Sequence, residues 1–155
     1  MHWTIKEGVA DARRVCIIGI DYAGYMALTA AECNPELFRC AASIGGYGDF
    51  TLQVPGAMPM GFLMGGAMEP AQDKLRAEAP RQHAAEFKVS VLLVHGDRDA
   101  MVTVEQSKAM DAALTAAHRP HQLVIIPGGD HAISAQANRA QMLTALESFL
   151  ASNLH

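Results

Sequence analysis

The chain lacks any excess of basic residues: 12 Lys and Arg stand against 16 Asp and Glu over 155 residues, for a net charge of -4. It therefore offers no extended positive surface to track a phosphate backbone, and nucleic acid and anionic membranes are poor partners. An apolar leader is missing too. Residues Met1 to Gly8 mix Trp3 and Ile5 with His2, Lys6 and Glu7, which is neither the core of a signal peptide nor a membrane span, so a cytoplasmic protein is expected. Cysteine is scarce and odd in number. Cys16, Cys33 and Cys40 lie in apolar surroundings and form no C-x-x-C pair, so free buried thiols are expected rather than a disulfide or a zinc site.

What is present is enough apolar sequence for a core. Half of the residues are hydrophobic, and the length suits one domain over residues 1–155. Four short apolar runs stand out: Val15 to Ile18, Cys40 to Ile44, Val91 to Val94 and Leu123 to Ile126. They lack strict polar alternation, as strands buried on both faces do. Helical patterns follow at Tyr22 to Cys33, Val104 to Ala116 and Asn138 to Phe149, with weaker ones at Thr4 to Val9 and Pro70 to Ala79. Strands separated by helices imply right-handed crossovers, hence an α/β fold with a mainly parallel sheet of about four strands flanked by helices.

Local signals set the boundaries. Asn34-Pro35 should stop the helix begun at Tyr22, because proline disfavours α geometry in the residue before it. Thr103 is placed to cap the helix near Val104. Pro127-Gly128-Gly129 is a turn that delivers Asp130 and His131. Pro55 to Met68 holds Met58, Met60, Met64 and Met68 with Phe62, Leu63 and several glycines. It reads first as a loop covering the core, and otherwise as an apolar rim to a substrate site or part of an interface.

Chemistry concentrates where strands end. Val15 to Tyr25 reads as a buried strand, a tight turn and a helix start, with Gly19 and Ala23 small enough for strand and helix to approach closely. That is the pattern of a nucleophile elbow, and Asp21 holds its reactive position. Open α/β sheets bind ligands beyond the carboxyl ends of their strands. Asp21, Asp99 and His131 each follow a strand there, in the order nucleophile, acid, histidine. His95 reads as a strand-end structural residue, and His83, His118 and His121 as surface residues. A metal site built from Asp21, Asp97 or Asp99 and His131 is a minor alternative.

These motifs carry a family resemblance. The elbow Gly19-Ile20-Asp21-Tyr22-Ala23-Gly24-Tyr25 is joined by Trp3, by Asp11-Ala12-Arg13-Arg14-Val15 and by Asn34-Pro35-Glu36-Leu37-Phe38. Further matches are Ser43-Ile44-Gly45-Gly46-Tyr47-Gly48-Asp49, Leu92-Leu93-Val94-His95-Gly96-Asp97-Arg98-Asp99, Val102, Gln106-Ser107, Pro127-Gly128-Gly129-Asp130-His131 and Phe149-Leu150. Together they resemble the catalytic domain of the prolyl oligopeptidase family of serine peptidases, within the α/β-hydrolase superfamily.

The resemblance implies a truncated α/β-hydrolase domain that needs no cofactor and takes a peptide or small ester. Asp99 would be the triad acid, His131 the base, and the backbone N–H of Tyr22 a donor to the oxyanion hole. The family reads Gly-x-Ser-Tyr-Gly-Gly-Tyr at the elbow, so Asp21 stands in place of serine. An ionised carboxylate has no hydroxyl proton for histidine to remove, and the ordinary serine mechanism is closed to it. A weak or inactive serine-hydrolase homologue is the leading expectation. A noncatalytic binding or assembly module is the alternative, and a hydrolase using Asp21 itself as nucleophile, as the haloalkane dehalogenases do, is a further one. The chain also starts only at the helix before the elbow strand, which turns Val15 to Ile18 from a central strand into an edge. Homodimerisation through that edge is expected ahead of cover by the chain itself.

Overall fold

A computed structural model describes residues 2–52 and 72–155. Its sheet is four parallel strands in sequence order: β1 (Cys16–Ile20), β2 (Cys40–Ile44), β3 (Ser90–Gly96) and β4 (His121–Ile126). Ile18 lies beside Ala42, Ala42 beside Leu92, and Leu92 beside Gln122. The helices are α1 (His2–Lys6), α2 (Tyr22–Cys33), α3 (Gln72–Ala77), α4 (Glu105–Ala116) and α5 (Gln136–Asn153), with a 3₁₀ turn at Ala84–Glu86. This is the truncated α/β-hydrolase arrangement. The Pro55 to Met68 stretch, and with it the expected rim or loop, lies outside the described residues.

Why the strands lack alternation is visible in the packing. Side chains of a strand point to opposite faces in turn. Leu92 and Val94 of β3 pack with Ile126, Ile133 and Phe149 on one face, against Leu146 and Leu150 of α5. Val91 and Leu93 pack with Leu28 of α2 and Met110 and Leu114 of α4 on the other. Each large aliphatic chain buried this way contributes roughly 1.5–3 kcal/mol. Cover ends at β1, where Ile18 is 42% and Ile20 57% exposed. Among the described residues β1 pairs only with β2.

Several local expectations are revised. Cys16 and Cys40 are bonded as a disulfide, because the parallel register sets them side by side on β1 and β2. Cys33, the last residue of α2, is a free but exposed thiol. The Thr103 hydroxyl does not cap α4: Val104 is the N-cap without a side-chain bond, and the chain enters through Gln106 N–H donating to the Thr103 carbonyl at 3.0 Å. His83 and His121 are half-buried rather than superficial; His121 Nε2 lies 3.2 Å from Asp111. The stop at Asn34 holds, with both its backbone N–H and its Nδ2 donating to the Ala30 carbonyl. Among the described residues no helix is long and apolar enough to cross a membrane.

Candidate active site at the carboxyl edge of the sheet

The three strand-end residues singled out in the sequence converge. Asp21 occupies the turn between β1 and α2 with φ 57° and ψ -125°. A side chain at positive φ in so tight a turn costs on the order of 1–3 kcal/mol, which the surroundings must hold in place. They do so by two bonds: Asp21 N–H donates to the Ile44 carbonyl of β2 at 3.0 Å, and Gly24 N–H to the Asp21 carbonyl at 2.9 Å. Gly19 is required by the same turn, since a Cβ there would run into the Ala23 carbonyl.

Asp99 and His131 are fixed from two adjacent strands. The Asp99 Oδ1 atom accepts the N–H groups of Met101 at 2.9 Å and Val102 at 2.8 Å. Its Oδ2 lies 2.7 Å from His131 Nδ1. A carboxylate accepts here, so Nδ1 carries the proton of this bond and Nε2 is the ring atom turned toward Asp21. That Nε2 is 3.9 Å from Asp21 Oδ2. The loops after β3 and β4 are stitched together by Arg98 N–H to the Gly129 carbonyl and Gly128 N–H to Asp97 Oδ1, at 2.9 and 2.6 Å. Gly96 lets these loops touch, because a Cβ there would strike the Gly129 backbone.

His95 is structural, as its place at the end of β3 suggested. Its Nε2 donates to the Val102 carbonyl at 2.8 Å, and its Nδ1 lies 2.7 Å from the Ser107 hydroxyl, which supplies that bond's proton. Complete burial holds its pKa below the usual imidazole value.

Two features escaped the sequence reading. The first is a buried carboxylate, Asp49, which accepts Thr51 N–H and hydroxyl at 2.8 and 2.6 Å and both Nε and a terminal nitrogen of Arg81 at 3.1 and 2.7 Å. Burial alone would raise its pKa, but the Thr51 and Arg81 bonds outweigh it and hold the group below its ordinary value. Gln106 completes the network, its Oε1 accepting from the N–H groups of Gly48 and Asp49 and its Nε2 donating to the Asp49 carbonyl. The second is an aromatic group beside the turn: Phe50 packs on Tyr25, Tyr47 and Tyr22 with ring centres 4.3, 4.7 and 5.7 Å apart. The Tyr47 phenol is pushed up, first by burial and then by the charges of Asp21 and Asp99. The one legible signal for both was Gly45-Gly46-Tyr47-Gly48-Asp49-Phe50, a polar and aromatic stretch immediately after β2.

The chain is 26% identical over 97% of its length to a dipeptidyl aminopeptidase BIII of Pseudoxanthomonas mexicana, covering 23% of that protein. It is 24% identical over 97% of its length to dipeptidyl peptidase family member 6 of Caenorhabditis elegans, covering 22% of it. The chain thus spans about a quarter of the length of these relatives. Among solved structures, a puromycin-hydrolyzing peptidase of Mycobacterium tuberculosis superposes with a TM-score of 0.83 at 24% identity, over 99% of this chain and 24% of that one. An acylaminoacyl peptidase of Pyrococcus horikoshii gives 0.85 at 22% identity, over 99% and 26%. These superpositions establish the shared fold. The match to the family itself runs over residues 1–155, and the chain belongs to the prolyl oligopeptidase family.

Proposed function

We propose that this chain is a peptidase- or esterase-type hydrolase domain in which Asp21 occupies the nucleophile position and removes the serine mechanism, leaving the rest of the constellation assembled. The observation that supports this most directly is the positive-φ turn that aims Asp21 Oδ2 at His131 Nε2, 3.9 Å away, while Asp99 holds the other ring nitrogen. In such an arrangement Asp99 fixes the tautomer and His131 is the base that would take a hydroxyl proton. The backbone N–H of Tyr22, first residue of α2, would face the oxyanion. With a carboxylate at position 21 the site has no proton for His131 to remove, so serine-type turnover is weak or absent. Peptides and small esters are the ligands the family points to, bordered by Tyr47 and Phe50.

Reaction with an organophosphonate serine-hydrolase probe tests this reading. The native protein is expected to stay unlabelled, and Asp21→Ser to become labelled in a manner that requires His131. Robust stoichiometric labelling of the native protein, abolished on replacing His131, would overturn it. A folded Asp21→Ser protein that also stays unlabelled would favour the binding or assembly module. An ester intermediate on Asp21, found by intact-mass measurement with a small ester, would favour the aspartate-nucleophile reading, in which His131 activates water.

The module reading has its own support in the exposed Ile18 and Ile20 on β1. A parallel edge strand with apolar side chains and open backbone groups pairs readily with a further strand, and a second copy of the chain is the partner we favour. The expected cytoplasmic location conflicts with the Cys16–Cys40 bond, since such bonds persist mainly in oxidising compartments. Thiol titration of the freshly isolated protein decides this point: one reactive thiol fits the bonded pair, three fit the cytoplasm.

A further inference from the structure

We propose that Glu32, His83 and Glu86 form a zinc site at the amino-terminal edge of the sheet, remote from Asp21. Glu32 sits in the last turn of α2, which runs back from the carboxyl edge, and Glu86 ends the 3₁₀ turn that leads into β3. Their carboxylates meet at one ring nitrogen. His83 Nδ1 is 3.2 Å from Glu86 Oε1 and 3.5 Å from Glu32 Oε1.

The other ring nitrogen decides what Nδ1 can be. His83 Nε2 lies 2.5 Å from the Ala77 carbonyl, which has no proton to give, so Nε2 is the donor. Apart from a proton, Nδ1 and the two carboxylate oxygens are three acceptors. Without an ion the cluster holds a proton among them, the Ala77 bond and the carboxylates raising the His83 pKa and burial raising that of Glu32, and a bound ion would displace it. A cation at their centre satisfies all three. A ligating histidine whose second nitrogen donates to a backbone carbonyl is also the usual way a protein fixes ring orientation at a metal.

Spacing and burial point the same way. For ligand atoms about 2.0 Å from a tetrahedral zinc, neighbouring ligands are about 3.3 Å apart. The 3.2 and 3.5 Å separations from His83 to the carboxylates, which a hydrogen bond also spans, are compatible with that value, and the three atoms all lie within 4.8 Å of one another. Independently, the Glu32 side chain is only 8% exposed and its second oxygen, Oε2, is buried without a hydrogen-bond partner. A buried carboxylate oxygen left without a donor carries a desolvation cost, which pushes the Glu32 pKa up, and a divalent cation held through both Glu32 oxygens would offset it. One imidazole and two carboxylates suit zinc, with water as the fourth ligand on the solvent side of Glu86. Bound there, the ion would tie the end of α2 to the entry of β3.

Equilibrium dialysis of the intact chain against zinc chloride, followed by metal analysis, tests the site. We expect one zinc per chain, with affinity lowered at least tenfold in Glu32→Gln and in His83→Gln proteins whose circular dichroism matches the native one. Zinc-edge anomalous diffraction from crystals of the unaltered protein does not depend on the variants folding, and should place the ion between these three side chains. No stoichiometric zinc, an anomalous peak elsewhere, or unchanged affinity in both folded variants would overturn the proposal and leave His83 as an imidazolium clasped by two carboxylates.

Discussion

The two ends of the candidate site are built differently. At the sheet centre Asp99 has a side chain 1% exposed and spends both oxygens on short bonds, one of them to His131. At the margin Asp21 is 43% exposed, has no side-chain cap bond at the start of α2, and reaches His131 only at 3.9 Å. Among the described residues β1 and β4 are both edge strands. What differs is that the loops after β3 and β4 are laced to each other, whereas Asp21 sits on the turn after β1, where Ile20 is 57% exposed. Over-determined geometry keeps a side chain in place whether or not it is used. The looser end is the one whose residue type decides whether there is chemistry.

That contrast can be broken at either end. The largest effect is expected in the Asp21→Ser protein, where adding Asp99→Asn should slow organophosphonate labelling about 10³–10⁴-fold. The asparagine can still accept from Met101 and Val102 but no longer holds the His131 tautomer. Retention of the rate would show that His131 needs no acid.

Next comes the buried carboxylate that supports the neighbouring loop. Asp49→Ala should lower stability by about 3 kcal/mol, read from urea unfolding at neutral pH, because it strands the Arg81 guanidinium and the Thr51 donors. Asp49 has a depressed folded-state pKa, so its contribution is complete above the unfolded value of about 4 and is lost as pH falls through the folded one. The gap between native and Asp49→Ala proteins should therefore close on acidification below about pH 4. A gap that persists at lower pH would mean that packing rather than ionisation supplies the difference.

A smaller and opposite effect belongs to the turn. Asp21→Gly should raise stability by about 1 kcal/mol, since glycine adopts φ 57° without a Cβ penalty. A loss instead would reveal that the carboxylate is held by favourable contacts. The smallest change is at the exposed strand. Ile18→Lys should alter stability of the folded unit by no more than about 0.5 kcal/mol, yet abolish self-association in sedimentation velocity. A native protein that sediments as a monomer would remove the proposed pairing altogether.

The sequence made some elements legible and hid others for identifiable reasons. The bounds of α2 and β2 agree with its periodicity and with the Asn34-Pro35 stop, and α5 extends the expected Asn138 to Phe149 at both ends. Asp21, Asp99 and His131 could be brought together because each follows a strand, and strand ends share one edge. Register is another matter. Cys16 and Cys40 are 24 residues apart, and nothing in their local context shows that parallel pairing makes them neighbours. The Asp49, Arg81 and Gln106 network is likewise assembled from three loops and helix ends, and the Glu32, His83 and Glu86 cluster from a helix terminus and a 3₁₀ turn. Such contacts carry no periodic signal.

The Asp49 clamp has a consequence for how this molecule can diversify. Residues 49 and 51 lie just before the stretch 53–71 and Arg81 lies shortly after it, and all are fastened to one buried carboxylate. The clamp thus holds residues 49–51 and Arg81 together by bonds that do not involve the chain between them, and closing a longer loop carries only a slowly growing entropic cost. Length changes between those stems are therefore expected to leave the Asp49 network intact.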